Sequence, residues 1–297
     1  MPSSVQSFNQ AISDFKKLQG LLTGKQAQIG ADSKASTFAE LGDDLTTVQN
    51  FKLSMDRSDR YIRSIADASR KNDVQFQSIQ RIISVANEFK SNLALENSTT
   101  TAGVNNLTAA GDAALDSIRD ALTAKDGANF VFSGSKTNIA PVSDLKTLNN
   151  MENGDPTAAY YNGDNFKSSV DVSGSLRVQY GLNAADTAFQ KLIGAINLAK
   201  TAEAENLGNY TNTGELLDEA ITELISLQTN IGDSAKLFDN STQFHETAKG
   251  TFQQKYSEAN SPDIVQLTIE TSQIQTALEA SFSAFSKISQ LSLINFL

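Results

Sequence analysis

From Asp43 to Ala102 the chain runs for 60 residues without a glycine or a proline. Within that span Leu45, Val48, Phe51, Met55, Ile62, Ile65, Phe76, Ile79, Ile83, Ala86, Phe89 and Leu93 keep roughly helical spacing. An uninterrupted helical pattern of that length exceeds an ordinary globular helix and predicts a long helix of rod or coiled-coil type. The Ser98–Thr101 cluster and Gly103 are expected to end it. A second helix is expected from about Val104 to Lys125, closed by Asp126-Gly127.

The texture then changes. Between Gly127 and Gly181 lie six of the 17 glycines and two of the four prolines. Ser169–Ser173 and Leu176–Tyr180 alternate with period two and are joined through Gly174, which predicts a hairpin that is polar on one face. Phe130-Val131-Phe132 reads as another short β run. Helical spacing returns with Asn183 as a cap and Asp186 three residues on. A further long helical stretch runs from Glu215 to Asn260, with Ile221, Leu224, Ile225, Ile231, Phe238 and Phe244 on its apolar side.

Both ends of the chain carry apolar stripes. Phe8, Phe15, Leu22 and Ile29 are spaced by seven, with Ala11 and Leu18 between them. From Asn260 to Leu297 one helix is expected, with Ile264, Leu267, Ile274, Leu278, Phe282, Phe285, Ile288 and Leu291 as its stripe. Ser261-Pro262-Asp263 supplies the start signal, with the serine as cap. The expected fold is therefore mainly α: a long antiparallel helical rod or coiled coil with a small β-rich domain inserted midway. Residues 1–40 with 261–297 form the terminal coiled-coil part, 41–128 with 182–260 the long-helix part, and 129–181 the β-rich part. The terminal stripes are expected to be completed by other copies or other proteins, with Phe8, Phe15, Leu18, Leu22, Ile274, Leu278, Phe282, Phe285, Leu291, Leu293 and Phe296 as assembly residues.

Composition removes whole classes of chemistry. The chain has no cysteine or tryptophan and a single histidine, His245, so thiolate nucleophiles, disulfides and zinc–thiolate sites are excluded. A lone imidazole beside Glu246 and Asp239 falls short of a metal set and reads as a solvated helix face. No Gly-rich phosphate loop occurs, and Asp43-Asp44 reads as the charged first turn of a helix rather than an acid/base dyad. Asn153–Pro156 and Asn162–Asn165 carry oxygen ligands without the spacing of a calcium loop and read as turns. A formal charge of −10 opposes binding to nucleic acid or anionic lipid. No apolar run is long enough to span a membrane, and the first residues lack the layout of a cleaved secretory signal. No enzymatic activity, cofactor or metal is expected.

Three segments carry a resemblance to a known family. Leu18-Gln-Gly-Leu-Leu-Thr-Gly-Lys25 is similar to the amino-terminal segment of bacterial flagellins, where a helix ends in a Ser/Thr-Gly-Lys turn. Gly127-Ala-Asn-Phe-Val-Phe-Ser-Gly-Ser-Lys-Thr137 resembles the lead-in to the outer domain of the hook–filament junction branch of that family. Gln275–Ala280 together with Leu291-Ser-Leu-Ile-Asn-Phe-Leu297 resembles that branch's closing Leu-Ser-Leu segment. The residues Ala31–Gly42 and Pro2–Val5 depart from the family pattern. The resemblance implies an extracellular structural protein of the flagellum, exported uncleaved through the type III channel, which joins the hook to the flagellin filament through its terminal helices. Its partners would be copies of itself, another hook-associated protein and flagellin, with an export chaperone. A flagellin forming the filament itself, and a cytoplasmic coiled-coil scaffold, are the rival readings.

Overall fold

The structure is a computed structural model that describes residues 4–31, 33–34, 42, 44–95, 101–146, 158–201 and 207–294. The Ser98–Thr100 part of the expected helix stop and the Asn153–Pro156 turn lie outside the described residues. The protein is mainly α: α1 (Ser4–Ala31), α2 (Leu45–Leu95), α3 (Thr101–Leu122), α4 (Thr187–Thr201), α5 (Leu207–Asn260) and α6 (Ile264–Ile294). Among the described residues the β part, between α3 and α4, comprises two small antiparallel hairpins. β1 (Lys125–Asp126) pairs with β2 (Asn129–Phe130), and β3 (Ser169–Asp171) pairs with β4 (Arg177–Gln179). The chain divides into two compact units, one of Met1–Arg57 with Thr247–Leu297 and one of Ser58–Glu246; α2 and α5 each contribute to both.

In the second unit α2 and α5 run antiparallel. Tyr61 stacks on His245 with ring centroids 4.7 Å apart, Asn72 Nδ2 donates to the Ile231 carbonyl at 3.0 Å, and Lys90 pairs with Asp218. The buried side of α2 advances by alternating steps of three and four through Ile65, Ala68, Asn72, Gln75, Ile79, Ile82, Ala86, Phe89 and Leu93. That is a heptad seam with two amides in it. Ile82 rather than Ile83, and Gln75 rather than Phe76, point fully inward. On α5 the seam passes through Leu217, Ala220, Leu224, Ile231, Phe238 and His245. Ile225 and Phe244, expected inside, are exposed, because steps of three and four from Leu224 lead to Leu227 and Ile231 and leave both residues off the seam. Leu115, Ile118 and Leu122 of α3 and Phe189, Leu192 and Ile196 of α4 complete the main core.

His245 does not lie on a solvated face. It is 5% exposed, because it falls on the α5 seam, and its Nε2 is 2.8 Å from the Val172 carbonyl.

Several boundaries differ from expectation: Thr101 and Gly103 lie in α3 instead of ending α2, and α5 starts at Leu207, ahead of the expected Glu215. α3 stops at Leu122, and Gly127 serves the β1–β2 turn at φ 61 instead of closing the helix. Phe130-Val131-Phe132 is not a strand of its own: only Asn129–Phe130 pairs, and Val131 and Phe132 turn into the main core. The carboxy-terminal helix is capped by Asp263, not Ser261. Asp263 Oδ1 accepts the Gln266 N–H at 2.9 Å and its carbonyl accepts the Leu267 N–H at 2.9 Å, while the Ser261 N–H closes the end of α5 on the Ser257 carbonyl at 2.7 Å. A carboxylate at the cap position also complements the positive end of the helix. The β3–β4 hairpin is as expected, with Val170 opposite Val178 inward and Ser169, Asp171, Arg177 and Gln179 outward.

The Phe132-Ser-Gly-Ser-Lys-Thr137 segment has a physical reading residue by residue. Phe132 is buried edge-on against Phe189, centroids 5.9 Å apart. Ser133 Oγ donates to the Ile139 carbonyl at 2.8 Å. Gly134 sits at φ 69, where an added Cβ would lie 2.4 Å from the Asp164 carbonyl oxygen. Asp164 accepts the Ser135 N–H at 2.8 Å, the Ser135 hydroxyl, and the Phe166 N–H at 3.1 Å. Lys136 Nζ reaches the Gly163 carbonyl at 3.3 Å, and the Thr137 carbonyl accepts the Phe130 N–H at 2.8 Å. The Asn162–Asn165 turn thus spends its acid on the chain's own donors.

Both ends of the inserted β part are fastened at one residue. Gln75, fully buried, donates Nε2–H to the Val131 carbonyl at 2.7 Å and to the Leu182 carbonyl at 2.9 Å, while its Oε1 accepts the Leu182 N–H at 3.2 Å. Next to it the Ala184 N–H donates to the Phe132 carbonyl at 3.0 Å. Tyr160 donates to the Ala184 carbonyl at 2.8 Å, and burial pushes its hydroxyl well above the ordinary tyrosine range.

Candidate assembly surface

The first unit pairs the two ends of the chain. α1 and α6 pack antiparallel: Lys25 bridges to Glu270 at 2.7 Å, and beyond the end of α1 the Lys34 N–H donates to the Asn260 carbonyl at 2.6 Å. Hydrogen bonds from Lys25 and Gln266 hold the Glu270 carboxyl below its ordinary range. α1 does not end at Thr23-Gly-Lys25 but continues to Ala31. Thr23 Oγ1 donates back to the Gln19 carbonyl at 3.0 Å, which keeps the hydroxyl inside the helix instead of turning the chain.

Most of the residues expected to serve in assembly lie on these two helices. Phe15, Leu18 and Leu22 of α1 and Ile274, Leu278 and Phe285 of α6 are half-buried along the pair. Phe8 lies on α1, and Leu291 and Leu293 lie on α6. Phe296 is outside the described residues. Phe282 is brought to the pair but not into it: it is 65% exposed. Its stripe partner Ile264 is exposed too. On α6 the side facing α1 follows Leu267, Ile274, Ala277, Ser281 and Phe285, so Phe282 stands one position off the seam.

Ala11, Ile12, Phe15, Gln19, Phe282 and Phe285 line an open cleft of about 280 Å³. Val265 and Ile269 of α6 and Leu21 of α1 are further exposed apolar side chains that periodicity alone did not single out. A heptad frame drawn through Leu18 and Leu22 would have placed Leu21 off the seam. The half-buried stripes of the two helices, with Val265, Ile269 and Phe282 exposed beside them, leave apolar surface chemically suited to packing against further helices. Among the described residues no group of three or more His, Cys, Asp or Glu is placed to hold a metal ion, and no described helix is long and apolar enough to cross a membrane.

Long helices bracketing a small β part, with both chain ends paired, are a fold that this chain shares with two solved structures. A solved structure of a flagellar hook-associated protein from Vibrio parahaemolyticus superimposes on 75% of this chain and 100% of its own, with a TM-score of 0.59 at 13% identity. The crystal structure of Bacillus cereus FlgL matches over 70% of this chain and 97% of its own, with a TM-score of 0.54 at 12% identity. No family model and no curated protein matches the sequence.

Proposed function

We propose that this chain is a structural component of the bacterial flagellum that joins the hook to the flagellin filament, assembling through its terminal helices. The observation that carries the reading is the half-covered α1–α6 pair, with Phe15 and Phe285 in an open cleft and Phe282 standing in solvent. The fold shared with a hook-associated protein and with FlgL supports it. In this account residues 1–40 and 261–297 form the inner coiled-coil part of the assembly, 41–128 and 182–260 the next part, and 129–181 the outer part. The assembly residues are Phe8, Phe15, Leu18, Leu22, Ile274, Leu278, Phe282, Phe285, Leu291, Leu293 and Phe296. Partners are further copies of the chain, another hook-associated protein, flagellin and, before assembly, an export chaperone. The protein acts outside the cell and catalyses no reaction.

Deleting Gln290–Leu297 tests this. The truncated chain is expected to be soluble and exported, yet to leave cells with hooks and no filaments. Normal filaments on such cells would sink the reading, and purified chain growing alone into micrometre tubes would favour a filament subunit.

A further inference from the structure

The β3–β4 hairpin rests on its own small apolar cluster, apart from the main core. Val170 and Val172 pack there against Ile65 and Ala68 of α2 and Phe238 of α5, with Tyr180 edge-on to Phe238 at 5.5 Å. A two-stranded hairpin is marginal alone, so its docking decides whether it is formed. Its outer face is polar, with Arg177 held to Asp171 at 2.6 and 2.9 Å. Its chain is anchored on one side at Gln75, through Leu182, and on the other where Lys71 Nζ meets Ser168 Oγ at 2.7 Å. Near the turn one polar contact ties it to a helix: His245 Nε2 on the Val172 carbonyl, with the imidazole stacked on Tyr61.

We propose that this hairpin is a strap that opens independently of the main core, and that His245 is the positioning residue that latches it. The imidazole donates Nε2–H to the Val172 carbonyl in a site that excludes water, so losing that donor leaves a buried carbonyl without a partner. The loss falls on the small cluster alone, since none of its members belongs to the main core. Opening uncovers Ile65, Ala68 and Phe238 on the α2–α5 surface while the Gln75 anchor stays closed. This inference stands apart from the assembly role.

Amide hydrogen exchange on the full chain, read by residue and corrected for intrinsic rates, tests it. In the native chain the amides of the β3–β4 ladder are expected to exchange well ahead of Leu192 and Ile196 in α4. His245→Phe, which keeps the ring but not the donor, is expected to speed hairpin exchange about tenfold and leave α4 unchanged. His245→Gln, which restores an N–H at similar reach, is expected to bring the hairpin rate back. Equal native rates in hairpin and α4, an unchanged hairpin in His245→Phe, no recovery in His245→Gln, or collapse of the whole fold on losing the donor would each overturn the proposal.

Discussion

Two glycines show how differently one residue type is used in this chain. At Gly134 the backbone is left-handed and Asp164 occupies the space a Cβ would need. At Gly250, inside α5, an added Cβ would meet nothing within 4 Å. Gly134→Ala is therefore expected to lower stability by about 1–3 kcal/mol. Gly250→Ala is expected to raise it by about 1 kcal/mol, the helix-propensity difference. Urea midpoints of the two variants check both signs. At this scale the sequence was least legible for buried polar groups. Its sequence neighbours Glu246 and Asp239 point His245 towards solvent. Its place on a three-and-four seam with Ile231 and Phe238 decides otherwise. Apolar periodicity favours Phe76 over Gln75, because it ignores an amide whose hydrogen-bond partners lie 56 and 107 residues away.

Among the elements, the long helices were legible because each repeats its period over many residues, and the β3–β4 hairpin because two short alternating runs flank Gly174. Ends were less so. Gly127 has the positive φ that a helix-closing glycine and a hairpin glycine both require, and the sequence does not distinguish the two uses. Ser261 and Asp263 are both good caps, and only the hydrogen bonds to Gln266 and Leu267 choose between them. The loop built on Asp164 makes a testable element. The Ser135 hydroxyl and N–H, then the Phe166 N–H and Lys136, hold its carboxyl below the ordinary aspartate range. A carboxyl depressed in the folded state stabilises above its unfolded pKa of about 3.9 and loses that contribution as pH falls through its folded value. Exchange of the Ser135 amide, corrected for intrinsic rate, is expected to accelerate below about pH 4. Asp164→Asn should raise it already at neutral pH and flatten the acid response. An unchanged acid response in that variant would mean that another group governs the loop.

For the molecule as a whole, one compact unit is built from the two ends of the chain and the other from its middle. That matching stripes occupy both termini could be read from spacing. Which side of α6 faces α1 could not, because its apolar residues extend round more than one side of the helix: Val265, Ile269 and Phe282 are as apolar as Ile274 and Phe285 and remain uncovered. In the proposed flagellar role, neighbouring molecules close that uncovered surface. The chain has no cysteine, so Phe282→Cys places a thiol at a single known point. Maleimide labelling of that thiol in the free protein and in purified hook–filament preparations measures the claim directly. Rapid labelling of the free protein and strong protection in the assembled organelle are the predicted result. Equal labelling in both would contradict it.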